Sequence, residues 1–261
     1  MNVGAFFDID GTLVPPPSLE NRFFRYLLWR GAIGWTNFAR CAAPLLRETS
    51  RALFGKEGAG VEFAAAQCKA YLAGVPTSAM DAWLGWLARH SIERIPEALR
   101  RIDWHARQGH RIFLLSGTLQ PLAEVLARLL PVPVRVCATQ LECKGGRYTG
   151  RVHGEAVCGP AKARAMERLA SEYSLDLERS YAYGDSFADR WMLANVGHPC
   201  VVQAAESSSR RLAWLAQRHG WPLLRWGAVT PRELKLHHGG TTRLEEHKVH
   251  SAACESGVKS R

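Results

Sequence analysis

Three consecutive prolines, Pro15 to Pro17, follow the apolar run Val3 to Ile9 after five intervening residues, and this juxtaposition constrains the chain most. The run has the length and composition of a strand buried on both faces. Proline cannot continue a central strand or sit inside a helix, so the chain must leave the sheet at once. Whatever follows is an insertion. From Leu19 to about Arg94 no alternating segment occurs. Apolar residues recur at helical spacing instead, for example Ala79, Trp83, Trp86 and Leu87 on one side of the stretch that runs on to His90. Gly55 to Gly60 reads as a loop between helices, and Gly74 to Ser78 as a break followed by helix-capping candidates.

From Pro96 the pattern changes to helix and strand in alternation. A helix to about Gln108, a strand Arg111 to Leu115 and a helix through Leu130 lead to a strand Val132 to Glu142, with a Gly-Gly hairpin over Cys143 to Tyr148. A helix Pro160 to Tyr173, a strand Ser180 to Tyr183, a helix Phe187 to Asn195, a strand Cys200 to Gln203 and a helix around Ser208 to His219 complete the series. Helical crossovers of this kind are what parallel strands require. The expected organisation is an α/β core formed by residues 1–17 and 95–227, an inserted helical unit over 18–94, and a disordered basic tail over 228–261.

Hydrophobic residues at 47% and charged residues at 22% are those of a packed chain. The formal net charge of +10 suits an anionic partner: a phosphorylated metabolite, a nucleic acid or an anionic membrane surface. The cysteines are odd in number, scattered and without a C-x-x-C pair, which reads as reduced thiols. MNVGAFFDID has no basic leader region, so a cytoplasmic location is expected. The most apolar stretch, Phe23 to Leu46, is broken by Arg25, Arg30 and Arg40, so no membrane span is expected.

Four short signals stand at strand ends or helix starts, where ligands bind in open α/β sheets. Asp8-Ile9-Asp10-Gly11-Thr12 holds two carboxylates at the end of a buried strand, a costly arrangement unless a cation or catalysis justifies it. Ser116-Gly117-Thr118 offers a hydroxyl and main-chain N–H groups to an anion. Lys162 falls in the first turn of a helix that begins near Pro160, opposing the helix dipole, a placement that makes sense if it faces phosphate. Asp185 and Asp189 form an acidic pair on a loop after a strand, suited to an oxygen-ligated divalent cation.

In this order, with 108, 46 and 23 residues separating Asp8, Ser116, Lys162 and Asp185, the four signals resemble the motifs of the haloacid dehalogenase superfamily of phosphohydrolases. The large first gap is similar to that of the phosphoserine phosphatase-like branch, in which a helical cap follows the first motif. The resemblance covers roughly residues 3 to 226. It implies a Rossmann-like parallel sheet with helices on both faces plus an α-helical cap. It also implies a Mg²⁺-dependent phosphatase acting on a small phosphate ester. Asp8 would be the nucleophile and Asp10 the general acid and base. Mg²⁺ would be held by Asp8, Asp10 through its main-chain carbonyl, and Asp185. Ser116, Gly117 and Lys162 would hold phosphate oxygens, with Asp189 supporting Lys162 or metal-bound water.

The chain departs from that branch at one informative place. The glutamate expected nine residues beyond the nucleophile, which would receive a substrate amine, falls on Pro17. Glu20 is the nearest acid, and Glu20, Arg22 and Arg25 are the candidate specificity residues. Trp29, Trp35, Trp83 and Trp86 are expected in the core of the cap rather than around a substrate. Two other functions use the same features: a phosphotransferase passing the aspartyl-phosphate to an acceptor alcohol, and a basic nucleic-acid-binding module, which would leave the acidic motifs unexplained.

Overall fold

In the computed structural model the apolar run becomes β1 (Gly4–Phe7), buried at all four positions. The structure describes residues 2–37, 39–40, 68–90, 92–204 and 209–226. The expected loop Gly55 to Gly60 and the tail 228–261 lie outside them. Two strands flank β1 in parallel, β2 (Arg111–Leu119) and β6 (Tyr181–Gly184). Adding β3 (Arg135–Thr139), β7 (His198–Gln203) and β8 (Leu223–Arg225) gives one parallel sheet in the order β3-β2-β1-β6-β7-β8. The chain runs outward from β1 in both directions, so the crevice at the carboxyl end of β1 lies where the winding reverses.

Alternation along β1 buries each face against different helices. Phe6 stacks on Phe113 at a ring separation of 4.9 Å, over α5 (Pro160–Tyr173), α6 (Arg190–Leu193) and α7 (Arg210–His219). Phe7 stacks on Tyr183 at 4.4 Å, on the side of α3 (Pro96–Arg107) and α4 (Gln120–Arg128). That second cluster continues without a break into the insertion. It takes in Leu19, Phe23 and Leu27 of α1 (Leu19–Trp29), and Met80, Trp83 and Leu87 of α2 (Thr77–Arg89). Ser18 caps α1, its hydroxyl accepting the Asn21 N–H at 3.1 Å.

Several expectations need correction. The strand expected over Val132 to Glu142 is two: β3 ends at Thr139, and the chain turns out of the parallel sheet into β4 (Leu141–Lys144), paired with β5 (Arg147–Val152) as a separate hairpin. Alternation does not mark where a chain leaves one sheet for another. The helix expected over Phe187 to Asn195 is a 3₁₀ turn, Phe187–Asp189, and then the short α6, because Ser186 and Asp189 cap each other and tighten the first turn. Of the four tryptophans assigned to the cap core, only Trp83 is buried; Trp29, Trp35 and Trp86 are 79%, 89% and 41% exposed. β8 is too short, and too close to Pro222, to carry a pattern.

The hairpin is fastened to the insertion. Gly74 N–H donates to the Tyr148 carbonyl at 2.8 Å, Tyr148 N–H to Val75 at 2.9 Å, and Thr77 N–H to Gly146 at 2.9 Å. A Cβ on Gly150, where φ is +82°, would lie 2.9 Å from Cβ of Ala73. At the return to the sheet, Ile95 N–H donates to the Leu13 carbonyl at 2.9 Å. Among the described residues no helix is long and apolar enough to cross a membrane.

Candidate active site

The four signals meet at the carboxyl ends of β1, β2 and β6. After β1 the chain turns tightly, the Ile9 carbonyl accepting from the N–H groups of Thr12, Leu13 and Val14. Gly11 makes that turn possible twice over: its φ is +87°, and a Cβ there would stand 2.1 Å from Oδ2 of Asp185. The loops of β1 and β6 are thereby brought into contact, and the Thr12 hydroxyl donates to Oδ1 of Asp185 at 3.1 Å. At the end of β2, Ser116 and Thr118 are buried. The Thr139 hydroxyl holds this end of the strand by donating to the Gly117 carbonyl at 2.9 Å while accepting from Val157 N–H at 3.2 Å.

Lys162 reaches in from the first turn of α5. Its Nζ lies 2.6 Å from Oδ1 of Asp8 and 2.5 Å from Oδ1 of Asp189, with all three side chains buried. Asp189 is held from the other side, its Oδ2 accepting Ser186 N–H at 2.9 Å and the Ser186 hydroxyl at 2.7 Å. Asp10 turns toward α1, its Oδ1 accepting the Leu19 N–H at 2.7 Å, so the start of that helix and the second acid of the motif fix one another.

Carboxyl oxygens of Asp8, Asp185 and Asp189 lie within 4.8 Å of one another. Burial, then Asp189, pushes Asp8 up to about 6 against the pull of Lys162. Burial and the neighbouring Asp8 push Asp10 up to about 7. Asp185 is raised well above the carboxylate range by burial, Asp8 and Asp189. Burial would lower Lys162, but Asp189 and Asp8 outweigh it and hold the ammonium firmly charged. Four acids sharing one close lysine leave negative charge uncompensated in a poorly hydrated place. An all-oxygen donor set with that excess fits a hard divalent cation. Asp189 joins the expected Asp8 and Asp185 in this set of carboxyls.

A cavity of about 510 Å³ opens above these groups, with Asp8, Asp10, Ser116, Gly117 and Lys162 in its wall. Of the three specificity candidates only Glu20 lines it. Arg22 instead clamps the proline segment, donating to the carbonyls of Pro17 at 2.8 Å and Pro15 at 2.9 Å, and Arg25 is exposed. The far wall holds two residues that sequence reasoning missed, Lys69 and Tyr71, both bonded to Glu20. No spacing or periodicity singles them out. Thr118, a member of the second signal with no role assigned to it, also lines the cavity, and its buried hydroxyl has no partner among the described residues.

Residues 5–194 match the family model of haloacid dehalogenase-like hydrolases. The chain is 29% identical over 231 residues to a protein named phosphoserine phosphatase SerB1 from Mycobacterium tuberculosis, covering 85% of this chain and 70% of that one. A solved structure of a protein of unknown function from Bordetella pertussis Tohama I superposes with a TM-score of 0.66 at 26% identity, covering 86% of this chain and 98% of that one. A phosphoserine phosphatase solved as an analogue of its phospho-aspartyl intermediate shares the fold, with a TM-score of 0.58 at 18% identity over 90% and 98% of the two chains.

Proposed function

Because the chain belongs to the haloacid dehalogenase-like hydrolase family and is a phosphatase, we propose that it hydrolyses a small phosphate monoester through an aspartyl-phosphate on Asp8, with Mg²⁺ as its metal. The observation that carries this reading is Lys162 bridging Asp8 and Asp189 while Asp185 closes the acidic cluster at the floor of the cavity.

Asp8 attacks phosphorus as the bond to the alcohol oxygen breaks, and Asp10 gives its proton to the departing oxygen. A carboxyl raised to about 7 still holds that proton near neutrality. Asp10 then takes a proton from the water that attacks the same phosphorus, which frees Asp8 and restores Asp10. Lys162, the Ser116 hydroxyl and the Gly117 N–H hold phosphoryl oxygens, where charge builds in a loose transition state. Asp189, backed by Ser186, keeps the ammonium of Lys162 aimed. Mg²⁺ held by Asp8, Asp185 and the Asp10 main-chain carbonyl would offset repulsion between the carboxylates and a phosphate dianion.

A cavity of this volume suits a small metabolite. The cysteines are scattered along the sequence without a C-x-x-C pair, which supports a cytoplasmic setting. Helices α1 and α2 act in this reading as part of a cap over the α/β core. The test is phosphate release from p-nitrophenyl phosphate with Mg²⁺ and with chelator, beside Asp8→Asn. Turnover should require the metal and vanish in the variant, and acid quenching of the wild type should trap an acyl phosphate. A folded Asp8→Asn protein that retains turnover would exclude the covalent route.

A further inference from the structure

The far wall of the cavity is built around a charge pair that is already closed. Lys69 is 2% exposed, and its Nζ lies 2.7 Å from Oε1 and 2.6 Å from Oε2 of Glu20. The Tyr71 hydroxyl donates to the same Oε1 at 2.7 Å. Both carboxylate oxygens of Glu20 are thus engaged, and among the described residues Lys69 has no other acid within bonding distance. The two charges hold each other in place: a buried ammonium stripped of its carboxylate would be left unpaired, at a cost larger than a surface pair ever recovers. Among the described residues, the neighbours of this pair in the cavity wall, Ser18, Asn21 and Phe24, carry no charge.

We propose that the Lys69–Glu20 pair, closed by Tyr71, sets the leaving-group end of the cavity for an uncharged, hydroxyl-bearing alcohol and against one that carries an ammonium group. The inference rests on the phosphatase reading above and specifies its substrate. An ammonium entering here finds the Glu20 carboxylate neutralised by a lysine that cannot leave. A hydroxyl, in contrast, has polar partners along the same cavity in Asn21, Ser18 and Thr118, whose buried hydroxyl has no partner among the described residues. A site whose buried polar groups go unmatched by the wrong substrate discriminates strongly.

The experiment compares two nearly isosteric esters, 2-hydroxyethyl phosphate and phosphoethanolamine, with p-nitrophenyl phosphate as a reference. In the wild type kcat/KM should favour the hydroxyl ester by about tenfold or more. Lys69→Met opens the carboxylate of Glu20 and should shift the ratio toward phosphoethanolamine by at least about tenfold, and adding Glu20→Gln should remove that shift. Equal use of the two esters, or preference for phosphoethanolamine by the wild type, overturns the proposal whether or not the variants fold. So does a folded Lys69→Met protein with an unchanged ratio. A wild type that hydrolyses none of the three esters, p-nitrophenyl phosphate included, refutes the phosphatase reading itself, an outcome distinct from a wrong preference among esters that are turned over.

Discussion

Glycine at 117 and glycine at 11 do different things, and the difference can be measured. A Cβ on Gly117 would meet the Val157 carbonyl oxygen at 3.6 Å and Cβ of Cys158 at 3.7 Å, ordinary contacts that the fold accepts. Gly117→Ala should therefore keep its melting temperature while KM for phosphate esters rises, since the methyl group stands where substrate oxygens must approach. Gly11→Ala should lose both stability, by about 1–3 kcal/mol, and activity, because it combines a positive φ with a collision against Asp185. The raised carboxyls make a second prediction. Asp8 near 6 and Asp10 near 7 hold protons that the unfolded chain has released by then, so in metal-free protein their contribution to stability falls as pH rises from about 4 to 7 and levels off above, with the neutral, buried His105 acting in the opposite sense. For each group the fall is at most about 1.4 kcal/mol for every tenfold by which folding tightens its hold on the proton. Mg²⁺ favours the ionised carboxylates, so it should raise the melting temperature more at pH 8 than at pH 5.5. A metal-induced rise equal at both would mean that the ion binds elsewhere. These acids could be read from the sequence because each stands beside a strand end or helix start. Lys69 could not, because nothing local distinguishes it: its burial follows from where α1 places Glu20.

At the scale of elements, the cavity floor depends on side chains that bind main chain. Thr139 ends β3 and ties the Gly117 carbonyl to the Val157 N–H, joining the carboxyl end of β2 to the approach to α5. Thr139→Val keeps the shape and loses both bonds at a fully buried position, which should cost about 1–3 kcal/mol in denaturant unfolding. The same variant should slow turnover of every ester alike, since it loosens the phosphate end and not the alcohol end. A change in preference among esters would argue against that division. The alternation of strands and crossover helices was readable in the sequence, and α5 runs over the expected Pro160–Tyr173. What escaped was not carried by apolar periodicity: the exit of β4 from the sheet into a local hairpin, the 3₁₀ turn drawn tight by the reciprocal cap of Ser186 and Asp189, and the exposed faces of Trp29 and Trp35.

At the scale of the molecule, the sheet separates two apolar clusters, and every residue assigned to the site precedes Trp226, which is buried near Tyr183 at a ring separation of 6.0 Å. A chain ending just after Trp226 should retain Mg²⁺-dependent turnover with an unchanged KM, whereas loss of Trp226 itself should lower the melting temperature. A folded truncation without activity would place the tail in the site. The attachment of the β4–β5 hairpin to residues 73–77 reaches further than stability. The wall that carries Lys69 and Tyr71 stands next to main chain that the hairpin holds, although more than sixty residues separate the two in sequence. Transplanting residues 18–94 alone into a related chain would sever those bonds and bring the wall without its brace. Transplanting 141–152 with them would carry both, so what recombination must inherit as one trait is written in two separate places along the chain.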